Sequence, residues 1–434
     1  MKKPQFLIAA PSSHSGKTTL TLGLLHALRH RGLRVQSFKC GPDYIDTFHH
    51  SQASSRQGIN LDTFMMSETH VKALYNHYSN DADVAIVEGV MGLFDGAVKA
   101  EGSSAAIAML LDIPVILVVN AKAMAYSVAP LLYGLKHFNR DLKIAGVIFN
   151  FVNTESHYQF LKDACADVGI TPLGYVPVNE AINIPSRHLG LMISPENDYN
   201  AIIARAAAHI SQSVDLDQLL ELTMQHAPAY RETALPTSSK LKIGVARDSS
   251  FIFTYEENLR ALDRLGTICT FSPADLTELP EMDLLYIPGG YPELNLSLLE
   301  GNAAMRTAIR EYCANGGRVL AECGGMMYLG NTITDAEGRR YEMCGVLDIE
   351  TSMQNSRLSL GYRRIQIGDT VLKGHEFHYS HAKENSPIPT IGEVTNARGK
   401  IVSTPIYKQQ NVIASYMHFY WGENADIFSL LWNK

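Results

Sequence analysis

The stretch Phe6-Leu7-Ile8-Ala9-Ala10-Pro11-Ser12-Ser13-His14-Ser15-Gly16-Lys17-Thr18-Thr19-Leu20 decides how the first half of the chain folds. It opens on an unbroken apolar run, as expected of a parallel strand covered on both faces. A Pro/Ser turn stops the run, and KTTLTLGLLHALRHRG (17–32) follows with apolar residues at helical spacing. Gly16-Lys17-Thr18 closes a phosphate loop of the G-x-x-x-x-G-K-[ST] type, with Pro11 in place of the first glycine. The strand running in and the helix running out supply the context that this degenerate string needs. N–H groups and the dipole at a helix start stabilise phosphate oxygens, Lys17 suits the β/γ charge, and the Thr18 hydroxyl suits Mg2+. Gly16, Lys17, Thr18 and Thr19 are therefore read as an ATP site, against the plainer alternative of a Ser-rich turn with a surface lysine.

The same alternation continues to about residue 180. LRVQSFK (33–39), DVAIVEG (83–89), PVILVVN (114–120) and IAGVIFN (144–150) read as strands, and SSAAIAMLLD (103–112), SVAPLLYGLKHF (127–138) and SHYQFLKDACADVG (156–169) as helices. Strand and helix repeated in this way, with right-handed crossovers, give a doubly wound, mostly parallel α/β sheet. Acidic partners for a nucleotide-bound metal belong at the carboxyl ends of neighbouring strands. Lys39-Cys40-Gly41-Pro42-Asp43-Tyr44-Ile45-Asp46 follows one strand, Glu88 closes another, and Asp95 lies in the loop Gly89–Gly96. Asp43, Asp46, Glu88 and Asp95 are candidates for such acidic partners, and Thr18, Glu88 and Asp46 for holding Mg2+; the alternative is that each carboxylate caps the next helix. Asn150 and Asn153 follow a strand at the same edge, where either amide could read a nucleobase or serve a turn.

A helical stretch, 199–226, precedes HAPAYRETALPTSSK (226–240), which reads as a linker dividing domains at 1–235 and 236–434. Beyond it LKIGVARD (241–248) restarts the α/β pattern. Arg318-Val319-Leu320-Ala321-Glu322-Cys323-Gly324-Gly325-Met326-Met327 is a strand entering a glycine turn and a helix, the arrangement of a nucleophile elbow. The helix start is expected to lower the Cys323 pKa. A nucleophilic thiol needs a base, offered by His418 in Ser415-Tyr416-Met417-His418-Phe419-Tyr420-Trp421, and oxyanion donors, offered by Gly289, Gly290 and Tyr291 after Pro288. The other cysteines are expected to be inert core residues. Gly374-His375-Glu376-Phe377-His378-Tyr379-Ser380-His381 is not the zinc-protease helix motif. Its histidines are three apart, and on a strand His375 and His378 face opposite ways, so a polar strand lining the site is expected.

Composition agrees. The chain has 434 residues, 37 Lys+Arg against 44 Asp+Glu for a net charge of −7, and 46% hydrophobic content, which suits two or three ordinary globular domains and disfavours a nucleic-acid binder. No apolar run approaches a signal peptide or a membrane span, so a cytoplasmic protein is expected. Six scattered cysteines without a C-x-x-C pair point to reduced thiols.

Taken together, the phosphate loop, Lys39–Asp46, Glu88–Gly96, Ala321-Glu322-Cys323-Gly324-Gly325-Met326-Met327-Tyr328 and Gly374–Ser380 make the chain resemble the cobyrinic acid a,c-diamide synthase family over both domains. The resemblance implies a P-loop domain of dethiobiotin synthetase type followed by a class I glutaminase domain. It implies Cys323 as nucleophile with His418 as its activating base, Asp43, Asp46, Glu88 and Asp95 at the synthetase site, and ATP- and glutamine-dependent amidation of the a and c acetates of cobyrinate through acyl phosphates. It also implies Mg2+, small-molecule partners (cobyrinate, L-glutamine and ATP) and no nucleic acid or membrane, with a homodimer left open. One departure is Tyr420, which stands where ordinary class I glutaminases carry a Glu two residues after the histidine, so another group or none orients His418. Hydrogenobyrinate and Ni-sirohydrochlorin remain alternative macrocycles. A partition-type P-loop ATPase accounts for neither Cys323 nor His418, and a dethiobiotin synthetase-like ligase leaves 241–434 unexplained. A polycarboxylate substrate approaching an acidic protein gives local cations, Lys17 and Arg187, added weight.

Overall fold

The computed structural model describes residues 2–184, 186–187, 190–191, 198–226, 241–424 and 427–432. The expected linker beyond His226 and the Arg187 side chain lie outside the described residues. The chain divides into two compact units, Met1–Thr233 and Ala234–Lys434.

The first unit runs β1 (Lys2–Ala9), α1 (Lys17–His30), β2 (Val35–Cys40), α2 (Tyr44–Ser54), β3 (Ile59–Leu61), α3 (Glu68–Ser79), β4 (Val84–Glu88) and α4 (Ser104–Leu111). It continues through β5 (Val115–Asn120), α5 (Val128–Phe138), β6 (Ile144–Asn150), α6 (Glu155–Val168), β7 (Thr171–Val176), β8 (Ser186–Arg187) and β9 (Gly190–Leu191). It closes with α7 (Tyr199–Ile210), α8 (Leu216–Leu222) and β10 (Met224–His226). The strands order β3-β2-β4-β1-β5-β6-β7, all parallel. From β1 the chain steps to β2 on one side and later to β5 on the other, so a crevice opens at the carboxyl end of β1, where the phosphate loop lies. The tail of the expected helical stretch 199–226 is instead strand β10. It pairs antiparallel with Lys2–Pro4 and satisfies backbone groups at the start of β1. Phe6, Ile8, Leu24, Leu28, Ile86, Val118, Ile203 and Ile210 share one core cluster, which fastens α1 and α7 to the sheet.

The second unit runs β11 (Leu241–Ala246), α9 (Glu256–Leu265), β12 (Gly266–Phe271), β13 (Leu284–Ile287), α10 (Leu296–Gly301), α11 (Ala303–Ala314), β14 (Arg318–Glu322) and α12 (Gly324–Leu329). There follow β15 (Thr332–Thr334), β16 (Arg340–Glu342), β17 (Ile349–Ser352), β18 (Ser359–Ile367), β19 (Thr370–His378) and β20 (His381–Glu384). Last come β21 (Val394–Asn396), β22 (Ile406–Gln409), β23 (Val412–Ser415), β24 (Met417–Tyr420) and α13 (Ile427–Trp432). The main sheet orders β12-β11-β13-β14-β23-β22 and is parallel except at β22–β23. Alternate residues feed two cores: Leu285, Ile287, Val319, Ala321 and Ala414 on one face, Leu284, Tyr286, Leu320 and Ile413 on the other. Burial on both faces is what a continuous apolar strand requires, each buried Leu or Ile contributing roughly 1.5–3 kcal/mol. Two further four-stranded sheets, β16-β15-β17-β20 and β21-β18-β19-β24, go beyond the simple doubly wound expectation. The second of them carries His418.

Candidate active sites

In the first unit the turn into α1 depends on Gly16, whose φ of 85° is left-handed and which occupies the N-cap. A Cβ there would lie 2.0 Å from Asn150 Nδ2. Asn150 Nδ2 donates to Ser15 O at 3.0 Å, and its Oδ1 accepts from Phe151 N at 2.9 Å. The Nδ2 end of this amide therefore braces the phosphate loop and the Oδ1 end caps its own turn, and Asn153 Oδ1 likewise accepts from Val178 N at 2.9 Å. The N–H groups of the first helical turn, at Lys17, Thr18 and Thr19, are those an α-helix leaves without intrahelical acceptors.

Lys17 is buried, and Nζ donates to Met91 O at 2.6 Å and Ser12 O at 3.4 Å, joining the phosphate loop to the Gly89–Gly96 loop. Burial, then the nearby Lys39, lowers its pKa. Thr18 Oγ1 donates to Glu88 Oε1 at 2.6 Å. Lys39 Nζ reaches Asp46 Oδ2 at 2.5 Å and Glu88 Oε1 at 2.9 Å, and His50 Nε2 lies 2.6 Å from Glu88 Oε2. Burial opposes the charge on Glu88, but Lys39, His50 and Thr18 outweigh it and hold the carboxylate well below its usual range. Burial also opposes the Lys39 cation, which Asp46 and Glu88 hold firmly protonated. Lys39 and His50 were not singled out from the sequence. The available signal was a lysine at the end of an otherwise apolar strand, and Lys39 is the register partner of Glu88.

The remaining carboxylates behave differently. Asp43 Oδ1 accepts from Ile45 N at 3.0 Å and Asp46 N at 2.9 Å, so it caps α2. Burial, then Asp46, raises its pKa. Asp95 Oδ2 accepts from Gly92 N at 2.9 Å and closes its own loop. Among the described residues no three His, Cys, Asp or Glu side chains are grouped to hold a metal. The neighbouring Thr18 hydroxyl and Glu88 carboxylate are nevertheless the hard-oxygen donors that suit Mg2+ shared with phosphates and water. Asp46 is turned to Lys39.

In the second unit Cys323 has φ 45° and ψ −105°, a strained backbone of the kind that costs about 1–3 kcal/mol. Its N–H donates to Ser415 O at 2.7 Å and its carbonyl accepts from Met327 N at 3.0 Å, so strand β23 and helix α12 fix the turn. After Ser415 the chain leaves the main sheet at Tyr416 and enters β24, which presents His418. Gly289 lies where the two residues converge. An ideal Cβ on it would come 2.3 Å from His418 Cε1, 3.0 Å from His418 Nδ1 and 3.4 Å from Cys323 Cβ. Gly290 N lies 3.1 Å from the corresponding point on Gly324, so this N–H borders the elbow. Phe253 was not anticipated. Its N–H donates to Gly289 O at 2.9 Å, and its ring lies 4.8 Å from that of Tyr291 and 6.4 Å from that of His418.

The expected lowering of the thiol pKa is not met. Burial, then Glu293, holds Cys323 above its ordinary value, against the Gly324 N–H. Burial, then His378, takes His418 down to about 3. Both shifts favour the neutral forms, thiol and imidazole. Glu322, buried beside Cys323, is pushed up to about 8 by burial. His378 Nε2 lies 2.8 Å from Glu376 Oε1, and its ring stacks on Tyr416 at 3.6 Å. All six cysteines are free. Among the described residues no helix is long and apolar enough to cross a membrane.

Residues 6–191 match the family described as the CobQ/CobB/MinD/ParA nucleotide binding domain, and residues 242–426 the CobB/CobQ-like glutamine amidotransferase domain. The hydrogenobyrinate a,c-diamide synthase of Brucella abortus is 40% identical over 427 residues, covering 95% of this chain and 97% of its own. The cobyrinate a,c-diamide synthase of Syntrophotalea carbinolica is 40% identical, covering 96% and 95%. That of Listeria monocytogenes is 39% identical, covering 98% of each. Among solved structures a glutamine amidotransferase matches at 18% identity and a TM-score of 0.31, over 44% of this chain and 97% of its own. Similarity at this level across nearly the whole chain, with both domains in the same order, means that the protein belongs to the cobyrinate and hydrogenobyrinate a,c-diamide synthase family and is a glutamine-dependent carbon–nitrogen ligase that uses ATP.

Proposed function

We propose that the chain amidates the a and c acetate carboxylates of cobyrinate, with a phosphoryl-transfer site in the 1–235 domain and a glutaminase in the 236–434 domain. The observation that carries this reading is the pairing in one chain of a braced phosphate loop beside Glu88 with a strained Cys323 elbow that meets His418 at Gly289. In the glutaminase half, Cys323 Sγ attacks the amide carbon of glutamine. His418 takes the thiol proton and delivers it to the leaving nitrogen, ammonia departs, and water hydrolyses the thioester to glutamate. N–H groups of Gly289, Gly290 and Tyr291 receive the oxyanion.

In the synthetase half, the α1 N-terminus and Lys17 hold the ATP phosphates in line with a substrate carboxylate oxygen. The carboxylate oxygen takes the γ-phosphoryl group, ADP leaves, and ammonia displaces phosphate from the acyl phosphate to give the amide. Thr18 and Glu88 are the residues that would hold Mg2+, which would supply charge neutralisation to the ATP phosphates. Asp46 acts on the same place by holding Lys39, whose cation fixes the Glu88 carboxylate. Asp43 and Asp95 shape the two loops beside it, and Asn150 serves nucleotide binding by bracing the phosphate loop.

A second reading keeps this chemistry and takes hydrogenobyrinate, favoured by the Brucella relative of equal identity. Ni-sirohydrochlorin is a third candidate macrocycle. The deciding experiment measures macrocycle-dependent ADP release with cobyrinate, hydrogenobyrinate and Ni-sirohydrochlorin as separate substrates, with glutamine present. The proposal expects the highest kcat/KM with cobyrinate. A higher value with either rival reassigns the substrate, and no ADP release above the macrocycle-free rate with any of the three overturns the amidation reading.

A further inference from the structure

Strands β19 and β24 pair antiparallel with His375 directly opposite His418. The two rings stack face to face, 4.8 Å between centroids and 14° from parallel, and both residues are buried. A Cβ on Gly374 would come 1.9 Å from His418 O, so the glycine before His375 lets the strands approach. Tyr255, buried at the start of α9, holds the far side of the stack. Its hydroxyl is hydrogen-bonded to His375 Nδ1 at 2.9 Å. Tyr420 packs edge-on against Tyr255 at 5.5 Å and 72°, so the residue standing in place of the usual carboxylate builds the clamp instead.

Chemistry suits this arrangement. Two stacked imidazoliums repel, so one ring must stay neutral while the other cycles. Burial, then the neighbouring His418 and Arg363, holds His375 well below its ordinary pKa. With His375 neutral and its Nδ1 hydrogen-bonded to the Tyr255 hydroxyl, the ring is held in place and offers an aromatic face to His418 when that residue takes up the thiol proton. Glu376, next along β19, is engaged elsewhere: its oxygens face Arg363 Nε at 2.6 Å, Thr404 Oγ1 at 2.7 Å and His378 Nε2 at 2.8 Å.

We propose that His375, clamped by Tyr255, is the positioning residue that sets the plane of the His418 ring toward Cys323, an inference that rests on the glutaminase reading of the second unit. The test uses the full chain, with glutamate release from glutamine and amidation with ammonium as separate readouts. In His375→Ala, kcat for glutamine hydrolysis falls about 100-fold, while KM for glutamine and ammonia-dependent turnover stay within about two-fold of the unaltered chain. His375→Phe keeps a ring in the stack without Nδ1 and falls between the two. Tyr255→Phe loses about ten-fold in kcat alone.

A kcat in His375→Ala within about two-fold of the unaltered chain overturns the proposal. Joint loss of glutamine- and ammonia-dependent turnover in Tyr255→Phe also overturns it, because it marks a merely structural role. If His375→Ala fails to fold, Tyr255→Phe decides alone: selective loss of kcat supports the proposal, and no loss overturns it. An unaltered chain that releases no glutamate overturns the glutaminase reading itself, a result separable from any effect of the variants.

Discussion

Glu322 Oε1 accepts the Phe419 N–H at 2.9 Å, so the residue before Cys323 is tied to the residue after His418. Its other oxygen accepts the Tyr286 hydroxyl at 2.8 Å. This buried carboxyl joins the strand that leads into Cys323 to the strand that carries His418, although they belong to different sheets. Burial pushes it up to about 8, whereas an unfolded glutamate titrates near ~4.3. Between those values the folded chain holds a proton that the unfolded chain has released. The stabilising contribution is therefore complete below the unfolded value and is lost as pH rises through the folded one. Denaturation midpoints between pH ~5 and ~8 should fall less steeply in Glu322→Gln than in the unaltered chain. Equal slopes would remove Glu322 from the account.

Gly289 gives a sharper test of the convergence. A methyl group there would collide with the His418 ring, 2.3 Å from Cε1. Gly289→Ala should lower glutamine-dependent amidation about 100-fold and leave ammonia-dependent amidation near its normal rate, since displacing a catalytic group by ~1 Å has that order of effect. Steady-state rates with the two nitrogen donors check it. Unchanged use of glutamine would mean that His418 is not the base.

The Lys39 network predicts the opposite pattern. Lys39→Met leaves Glu88 and Asp46 buried without their cation, a loss that typically costs about 3–5 kcal/mol. Thermal unfolding should shift down, and amidation should fail with glutamine and with ammonia alike. A variant that melts and turns over like the unaltered chain would contradict the network's role.

Thiol reactivity follows from burial. Cys269 is exposed, whereas Cys323 is buried with its pKa held up. With iodoacetamide at neutral pH and no glutamine, peptide mass spectrometry should show Cys269 modified well before Cys323. Preferential labelling of Cys323 would show a thiolate already formed at rest.

The sequence was most informative where a site lies at the end of its own strand. Gly16–Thr19, Glu88 and Cys323 each follow an apolar run, and local pattern alone places such residues at a sheet edge. Pairings over long separations were not legible. The register of His375 with His418 and the departure of the chain from the main sheet at Tyr416 depend on contacts between distant segments. Lys39 and His50 were missed for a related reason. A cation in an apolar strand and a histidine in a helix acquire meaning only when Glu88 is brought between them. The helical stretch 199–226 misled at its end because tertiary pairing with β1 overrode helical spacing in Met224–His226.

The most direct test of the central claim follows the nitrogen. Supplied with ATP, cobyrinate and glutamine labelled with 15N in its amide, the unaltered chain should give a diamide carrying the label at both new amides. Cys323→Ser should give no labelled product yet still form diamide from added ammonium. A product from the unaltered chain without 15N, or full labelling by Cys323→Ser, would contradict the account.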